Sequence, residues 1–475
     1  MTDPETESAP GRAAALLKRI AGDREGVPTS LAELRDSETA KAAGLALAMI
    51  GNNVIALAST VVFARELGDN YGSLAALISY FLILSVVGQA MQVATAREGV
   101  LGHLGIGAGL TATVERWLRA LLVLTLVSAV ISVLLRVPIA SAVGVRNDPW
   151  AAAIGLPAAV LWLALSMLRG ALQGVGDYRT VGLSLIGEQG GRLVTGALLA
   201  ATSLGVTGAY LGTPLSFLII GAYCLRNLHR GVRAAEQAPL GAVTRAPASL
   251  GLWAHVRRAW APIGGLIIIA VLQNIDIIAA KHRFSKELAS SYAATAVAAK
   301  VLVWVAIGAG FYLVPEVSRR RSEGLETRPI LFRALGIVLV CAVPVLLIFA
   351  VVPHLLLSLA FGAKRATASD SLLPLGAAFA VLAATYLAIQ YLLALRRTFF
   401  LLVIGAVAVA EPILLLGAPR RAAGFAAVVL AIQAVGAALA FTIALRRGRP
   451  LPDSDPPPPP SVTPAEAELG IRTPG

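Results

Sequence analysis

Apolar runs separated by short polar breaks follow one another along most of the chain. A run of about 20 residues crosses the hydrocarbon core of a membrane as a helix, which satisfies its own backbone hydrogen bonds. Barrel strands would be shorter and would alternate in polarity. The pattern therefore predicts twelve membrane helices, which are placed at 43–64, 73–96, 117–139, 150–170, 180–202, 205–225, 260–280, 288–314, 330–352, 371–395, 398–417 and 422–445.

The composition agrees with this pattern. Of 475 residues, 57% are hydrophobic and only 14% are charged, and the mean hydropathy is +0.76. A soluble globule needs more polar surface than this. The predicted fold class is an all-α polytopic membrane protein. Residues 1–42 are polar and mixed in charge, so the first helix is expected to be retained rather than cleaved.

Basic residues predict the orientation. When the spans are threaded alternately, most of the 40 Lys and Arg residues fall on one side, and Arg169 and Arg179 are counted there. The other side receives few, among them Arg65, Lys281 and Arg283. By the positive-inside rule the first side is cytoplasmic, with both termini inside. The net charge of +13 is then explained by topology, and no soluble domain is left to bind nucleic acid.

The predicted organisation has five segments. A cytoplasmic tail at 1–42 precedes a first six-helix bundle at 43–225. A cytoplasmic loop at 226–259 leads to a second six-helix bundle at 260–446, and a Pro-rich, disordered cytoplasmic tail follows at 447–475.

The two bundles read as an internal repeat. Moving the second back by 218 positions without gaps sets Arg283 on Arg65 and Glu316 on Glu98. In both copies a helix ends at an external basic segment, and the next helix returns to an internal end that carries a glutamate. Since each copy has six spans, both have the same orientation, and a pseudo-two-fold axis along the membrane normal relates them. This is an architecture of transporters.

Three stretches also resemble a known family. "VVFARELGDNYGSLAALISYFLILSVVGQAMQVATARE", "LQGVGDYRTVGLSLIGEQGGRLV" and "NIDIIAAKHRF" resemble helices 1–2, 4–5 and 7 of the oligosaccharidyl-lipid flippases. These form a branch of the multidrug/oligosaccharidyl-lipid/polysaccharide exporter superfamily. The segment "KHRFSKELASSY" lacks the "L-G" of the usual second turn. Twelve spans agree with this branch, whereas the lipid II flippase branch carries two additional helices.

Charged residues inside spans are the first candidates for a transport site, because they are costly in a bilayer. Glu188 and Arg192 stand at i and i+4 in the fifth span, on one helix face. Arg192 is a candidate to bind a pyrophosphate or sugar acid, and Glu188 to hold it or to carry a coupling proton. The alternative is a self-neutralised pair that only packs the bundle.

Further acids and one lysine occur in the second bundle. Asp276 in the seventh span is a coupling-ion candidate, or else a structural acid paired with Lys281 or Lys300. Lys300 lies in the eighth span as a cavity candidate, although a lysine there could also extend to the interface. Glu411, which precedes a proline in the eleventh span, is the third coupling-ion candidate.

The remaining candidates are polar faces and helix ends. Asn52, Asn53 and Gln89 give the first two helices a polar face that suits sugar hydroxyls, and interhelical hydrogen bonds would explain them equally. Four residues at the inner mouth are candidates for an ion-paired gate, or are merely solvated helix ends: Arg97, Glu98, Glu316 and Arg319.

The sequence holds no phosphate loop and no metal-ligand spacing, so neither an enzyme nor a cofactor is predicted. The resemblance implies a flippase of the bacterial cytoplasmic membrane that moves a polyprenyl-pyrophosphate-linked oligosaccharide by alternating access. Its expected partners are that substrate, membrane lipids and proteins of envelope glycan synthesis. Two alternatives stay open: an ion-coupled multidrug extruder of the same superfamily, and a scaffold of envelope glycan synthesis that transports nothing.

Overall fold

Helices account for nearly all of the described chain. The computed structural model describes residues 38–105, 107–236, 254, 256–257 and 260–446, so the predicted tails lie almost wholly outside it. The first half contains α1 (Glu38–Glu66), α2 (Tyr71–Val100), α3 (Ala108–Leu134), α4 (Arg136–Val143), α5 (Pro149–Gly174), α6 (Tyr178–Leu199) and α7 (Gly205–Glu236). The second half contains α8 (Trp260–Arg283), α9 (Lys286–Ala299), α10 (Val301–Ser322), α11 (Arg328–Val351), α12 (Pro353–Phe361), α13 (Leu372–Ala394), α14 (Phe400–Leu416) and α15 (Ala422–Leu445).

The membrane helices agree with the predicted spans. Within the described residues, ten helical stretches are long and apolar enough to cross a membrane. One of these, Tyr178–Arg233, contains both α6 and α7, and α14 is a shorter apolar helix. Every predicted span therefore coincides with helix. The predicted fold class, an all-α membrane protein with twelve membrane helices in two six-helix halves, is confirmed.

Two boundaries differ from the prediction. The eighth span is not one helix, because α9 ends and α10 begins at Lys300. The side chain of Lys300, at this break, lies against α8. The sixth span continues past 225 to Glu236, since "RNLHRGVRAAE" is rich in helix-forming residues. The first part of the predicted 226–259 loop is thus helical, and residues 237–253 lie outside the described residues.

The two halves keep the 218-residue offset along their whole length. Helices α8 to α15 correspond in order to α1 to α7, with α9 and α10 together matching α2. The short helices α4 and α12 are equivalent, and each ends at a glycine with a positive φ angle. These are Gly144 (φ 82°) and Gly362 (φ 90°), whose numbers differ by the same offset. Glycine adopts this conformation without the steric cost that a Cβ brings.

The halves meet asymmetrically. Helix α8 of the second half packs along α2 of the first. The equivalent pair under the repeat, α10 with α1, makes no comparable contact in the part of the chain that the structure describes. Both halves do converge where α1 leads into α2, and this end of the molecule is called the closed end. The flank of the interface formed by α2 and α8 is thus packed, and the flank formed by α1 and α10 is separated.

Candidate functional site

The first half buries a cluster of three charged side chains. Glu188 lies between two arginines, with its Oε1 2.7 Å from Nη2 of Arg192 and its Oε2 2.9 Å from Nη1 of Arg169. The sequence predicted only the pair on α6. Arg169 belongs to α5 and its side chain is fully buried, whereas the sequence counted it only with the basic residues of the cytoplasmic side. Its apolar neighbours in "LSMLRGAL" are the sequence feature that could have indicated its burial.

Hydrogen bonds fix this cluster in place. Asp177 caps α6 by accepting from the backbone N–H of Thr180, 3.0 Å away, and so sets the register of the helix. Arg169 donates from Nε to Oγ of Ser184 at 2.8 Å and from Nη2 to the Ser184 carbonyl oxygen at 2.9 Å. Arg169 is therefore held rigidly against α6, and it can hold Glu188 in turn.

Aromatic rings surround both guanidinium groups. The Arg169 guanidinium lies 5.5 Å from the ring centre of Trp162, and that of Arg192 lies 5.4 Å from Phe217 and 5.7 Å from Phe81. Such contacts stabilise a cation with little water around it. Two cations and one carboxylate leave the cluster with a net charge of +1. Only Arg192 is partly reachable, with 16% of its side chain exposed.

The second half buries a different cluster around Lys300. Its Nζ lies 3.2 Å from Oδ1 of Asn274 and 3.7 Å from Oδ1 of Asp276. Tyr292 donates its hydroxyl to Oδ2 of Asp276 at 3.3 Å. The structure thus brings Asp276 to Lys300, one of the two partners considered from the sequence. The other, Lys281, lies at the closed end, where a Cβ on Gly144 would come 3.0 Å from its Cγ.

Glu411 extends this second cluster. Its side chain is fully buried, and its Oε1 accepts a hydrogen bond from Nε2 of Gln433 at 3.2 Å. The same amide nitrogen donates to the carbonyl oxygen of Leu272 at 2.9 Å, which ties α15 to α8. The charges of Asp276 and Lys300 both act on Glu411. Neither Gln433 nor Tyr292 was singled out from the sequence, because neutral side chains in apolar helices give little signal.

The other cavity candidates lie apart from both clusters. Asn52 donates to Asn53 on the same helix at 3.3 Å, and both side chains are partly buried. Gln89 on α2 is exposed. Among the described residues, no hydrogen bond joins these three to either charged cluster. Their role in binding sugar hydroxyls stays a prediction.

The four inner-gate candidates do not meet across the halves. Glu98 pairs locally with His103 at 2.7 Å, and Glu316 pairs with Arg319 at 2.8 Å on its own helix. Within the described residues, no ion pair joins Arg97 or Glu98 to Glu316 or Arg319. These four residues do not link the two halves in the present conformation, and their gating role stays a prediction.

The closed end does carry contacts between the halves. Asp69 accepts from Nη2 of Arg365 at 2.9 Å, and Arg365 is almost fully buried while Asp69 is 63% exposed. Arg65 donates to the carbonyl oxygens of Leu359 and Ala360, each at 3.1 Å. Ala142 is the repeat equivalent of Ala360, and its carbonyl oxygen lies 2.9 Å from Nε2 of His282, the neighbour of Arg283. Each half is thus bound to the short helix of the other, α12 or α4.

Asp148 adds a titratable group at this end. It precedes α5 and lies in the field of Lys281 and Lys286 from the second half. Burial raises the pKa of Asp148 above its ordinary range, and the two lysines partly oppose that shift.

Comparisons with known proteins place the fold. No protein-family model matches the sequence, and no curated protein matches it. Among solved structures, the inward-facing conformation of a multidrug resistance MATE family transporter of the MOP superfamily aligns with a TM-score of 0.60. The alignment covers 83% of this chain and 93% of that one, at 14% identity.

Two further structures agree. The lipid II flippase MurJ in its inward closed conformation has a TM-score of 0.61, with 84% of this chain and 87% of that one covered at 12% identity. The eukaryotic MATE transporter AtDTX14 has a TM-score of 0.51, with coverages of 86% and 96% at 15% identity. The fold is therefore that of MOP superfamily transporters and flippases, and identities this low carry no substrate with them.

Proposed function

We propose, on the premise of a fold shared with MATE transporters and with MurJ, that this protein is a flippase for a polyprenyl-pyrophosphate-linked oligosaccharide. The substrate would be a precursor of a cell-envelope polysaccharide, moved across a bacterial cytoplasmic membrane by alternating access. Both termini would be cytoplasmic, as the distribution of basic residues predicts. The charged head group enters the protein, and the lipid tail remains in the bilayer.

The net positive cluster of the first half carries this proposal. A lone Glu188–Arg192 pair would be neutral and would serve packing alone. Because Arg169 also binds Glu188, at Oε2, the carboxylate is shared and the charge of Arg192 is not cancelled. An arginine fork matches a phosphate group geometrically and binds it through charge-assisted hydrogen bonds. The buried rings of Phe81 and Phe217 beside Arg192 exclude water and strengthen that attraction.

The asymmetry between the halves supports a substrate with a lipid tail. Helices α1 and α10 are separated while α2 and α8 are packed. A head group could enter sideways from the bilayer along the separated flank, with its tail trailing in the lipid. A soluble drug has no need of such a flank.

A second candidate function is an ion-coupled multidrug extruder. The two buried carboxyl groups of the second half, on Asp276 and Glu411, favour it, because an acidic site attracts cationic drugs. Lys300 lies against Asp276 and weakens this attraction. The two candidates therefore differ in which cluster the substrate needs: the arginines of the first half or the acids of the second.

A leaflet assay tests the proposal. In cells depleted of the protein, lipid-linked glycan should accumulate on the cytoplasmic leaflet, and restored wild-type protein should clear it. Arg192→Ala should fail to do so while still reaching the membrane, and Arg192→Lys should recover only part of the activity. Arg333→Ala, which removes an exposed arginine from α11, is the matched control and should behave as wild type.

Normal glycan translocation in depleted cells would overturn the flippase proposal. Drug sensitivity on depletion would then support the extruder. Normal activity of the Arg192→Ala protein would overturn the role of the first-half cluster. A role as scaffold would be supported if variants in both clusters kept full function.

A further inference from the structure

The charges of the buried cluster around Lys300 do not balance. Asp276 and Glu411 supply two carboxyl groups, and Lys300 supplies one ammonium group. If both acids were ionised, the cluster would carry a net charge of −1 in the apolar centre of the bundle. An uncompensated buried charge is strongly disfavoured, so the cluster needs one further positive charge. A proton or a dissociable cation could supply it.

Lys300 already occupies the position of a bound cation. Oδ1 of Asn274 and Oδ1 of Asp276 face its ammonium group, and the ring of Phe379 lies 5.4 Å from Nζ. The Asn274 amide donates its own N–H to the carbonyl oxygen of Ala270 at 2.9 Å, which turns Oδ1 toward the lysine. These oxygen atoms are the ligands that a hard cation would use. In this protein the ammonium group of Lys300 occupies the position between these oxygen atoms.

The contacts also distinguish the two carboxyl groups. Asp276 faces the Lys300 ammonium and accepts from the Tyr292 hydroxyl, and both contacts favour the carboxylate. Among the described residues, Oδ1 of Asp276 and Oε2 of Glu411 both lack a hydrogen-bond partner, but the Asp276 oxygen lies 3.7 Å from the Lys300 ammonium. Glu411 accepts a single hydrogen bond, at Oε1, from the neutral amide of Gln433. A carboxylic acid needs fewer partners than a carboxylate, so the proton belongs on Glu411.

We infer that the second half binds one exchangeable proton, on Glu411, and that Lys300 replaces a dissociable metal ion at this site. Among the described residues, the charged and titratable groups around Glu411 are Asp276 from α8, Tyr292 from α9 and Lys300 from the junction of α9 and α10, while α15 presents the neutral Gln433. Asp276 and Lys300 form a fixed neutral pair, and Glu411 is neutral when protonated. Loss of that proton leaves the site with its single negative charge.

The inference goes beyond the proposed function and does not depend on the substrate, because it concerns proton binding by the purified protein. Infrared spectroscopy of the protein in lipid bilayers detects the C=O stretch of a carboxylic acid directly. At neutral pH without sodium, the wild-type spectrum minus that of Glu411→Gln should show one such band, which should shift in D2O as exchange occurs. Adding sodium should leave it unchanged.

The same charge balance predicts that removing the lysine adds a carboxylic acid band, whereas removing Glu411 takes one away. Lys300→Met removes the tethered cation, so its spectrum should contain one additional carboxylic acid band, and sodium should now diminish it. Lys300→Arg keeps the charge and should add none. Glu316→Gln removes a carboxylate that is paired with arginines outside this cluster, and it should remove no band.

Two outcomes would overturn the inference. One is the absence of a carboxylic acid band in the wild-type minus Glu411→Gln spectrum. The other is loss of the wild-type band on adding sodium, which would make the site a metal site. If Lys300→Met does not fold, Glu411→Gln and Lys300→Arg still decide the question.

Discussion

Gly72 donates its backbone N–H to Oγ of Ser290 at 2.9 Å, and the two residues are 218 positions apart. That is the offset which superimposes the two halves, so each residue is the repeat equivalent of the other. Equivalent residues can touch only at the symmetry axis. The Ser290 hydroxyl also donates to the carbonyl oxygen of Asp69 at 2.7 Å. The pseudo-two-fold axis therefore passes through the seal of the closed end.

The seal requires a residue without a side chain at position 72. A Cβ on Gly72 would lie 3.1 Å from the backbone nitrogen of Ser290 and 3.2 Å from the carbonyl carbon of Ala289. Backbone atoms cannot move aside as a flexible side chain can, so Gly72→Ala should open the closed end. A cost of about 1 kcal/mol would change the ratio of closed to open molecules roughly fivefold.

Spin labels on opposite halves would measure this opening. Asn147→Cys and Glu287→Cys are exposed positions for the labels, in a background that lacks Cys224 and Cys341. Gly72→Ala should raise the long-distance population. Gly44→Ala, where a Cβ meets nothing within 4 Å, is the control. Identical distance distributions for the two variants would show that the seal tolerates a methyl group.

The Asp69–Arg365 pair should contribute to the same equilibrium. Asp69→Asn leaves the buried Arg365 guanidinium without its carboxylate, so the closed end should again loosen. The effect should be only about 1 kcal/mol, because Asp69 is mostly exposed and screened by water. The same label pair reports it. Arg136→Ala, which removes a contact confined to the first half, should leave the distances unchanged.

The sequence predicts the fold well and the clusters only in part. Apolar runs alone predict the number of membrane helices, because a chain that crosses a membrane must satisfy its backbone hydrogen bonds internally. Glu188 and Arg192 could be paired because i and i+4 residues of one helix meet whatever the tertiary packing. Arg169 could not be joined to them, since its neighbour depends on how α5 packs against α6. The short helices α4 and α12 are too short for a hydropathy pattern to reveal.

The break at Lys300 shows the same limit. The stretch "AATAVAAKVLVWVAIG" has no proline or glycine near the lysine, so nothing in it marks the end of a helix. The contacts of Lys300 with Asn274 and Asp276 come from another helix, α8, and are likewise invisible in the local sequence. For the inner-gate candidates, the sequence suggested ion pairs between the two halves. The structure instead pairs Glu316 with Arg319 of its own helix.

The first-half cluster should respond unequally to loss of its members. Glu188→Gln would leave two buried guanidinium groups with no counter-ion, and this should lower the free energy of unfolding by about 3–5 kcal/mol. Arg169→Leu leaves a neutral Glu188–Arg192 pair and should cost less. Thermal unfolding in a mild detergent, monitored by tryptophan fluorescence, would compare the two.

Binding should rank these variants differently. Arg169→Leu cancels the net charge, so it should weaken binding of a pyrophosphate-bearing lipid while the protein stays folded. A folded Arg169→Leu protein that binds this lipid as wild type does would show that Arg192 is not freed by Arg169. Equal loss of stability in both variants would show that the cluster acts only in packing.

Acid should favour the closed end through Asp148. Burial raises the pKa of its carboxyl group in the closed arrangement, whereas opening would return the group to water. The closed state therefore binds this proton more tightly than the open state. The resulting stabilisation is fully present below an ordinary aspartate pKa of about 3.9 and is lost as the pH rises through the raised pKa. Labels at Asn70→Cys and Ala363→Cys, away from Asp148, should show longer distances as the pH rises through that window. Asp148→Asn mimics the protonated acid and should stay closed throughout, and a pH dependence that survives in this variant would assign the effect to another group.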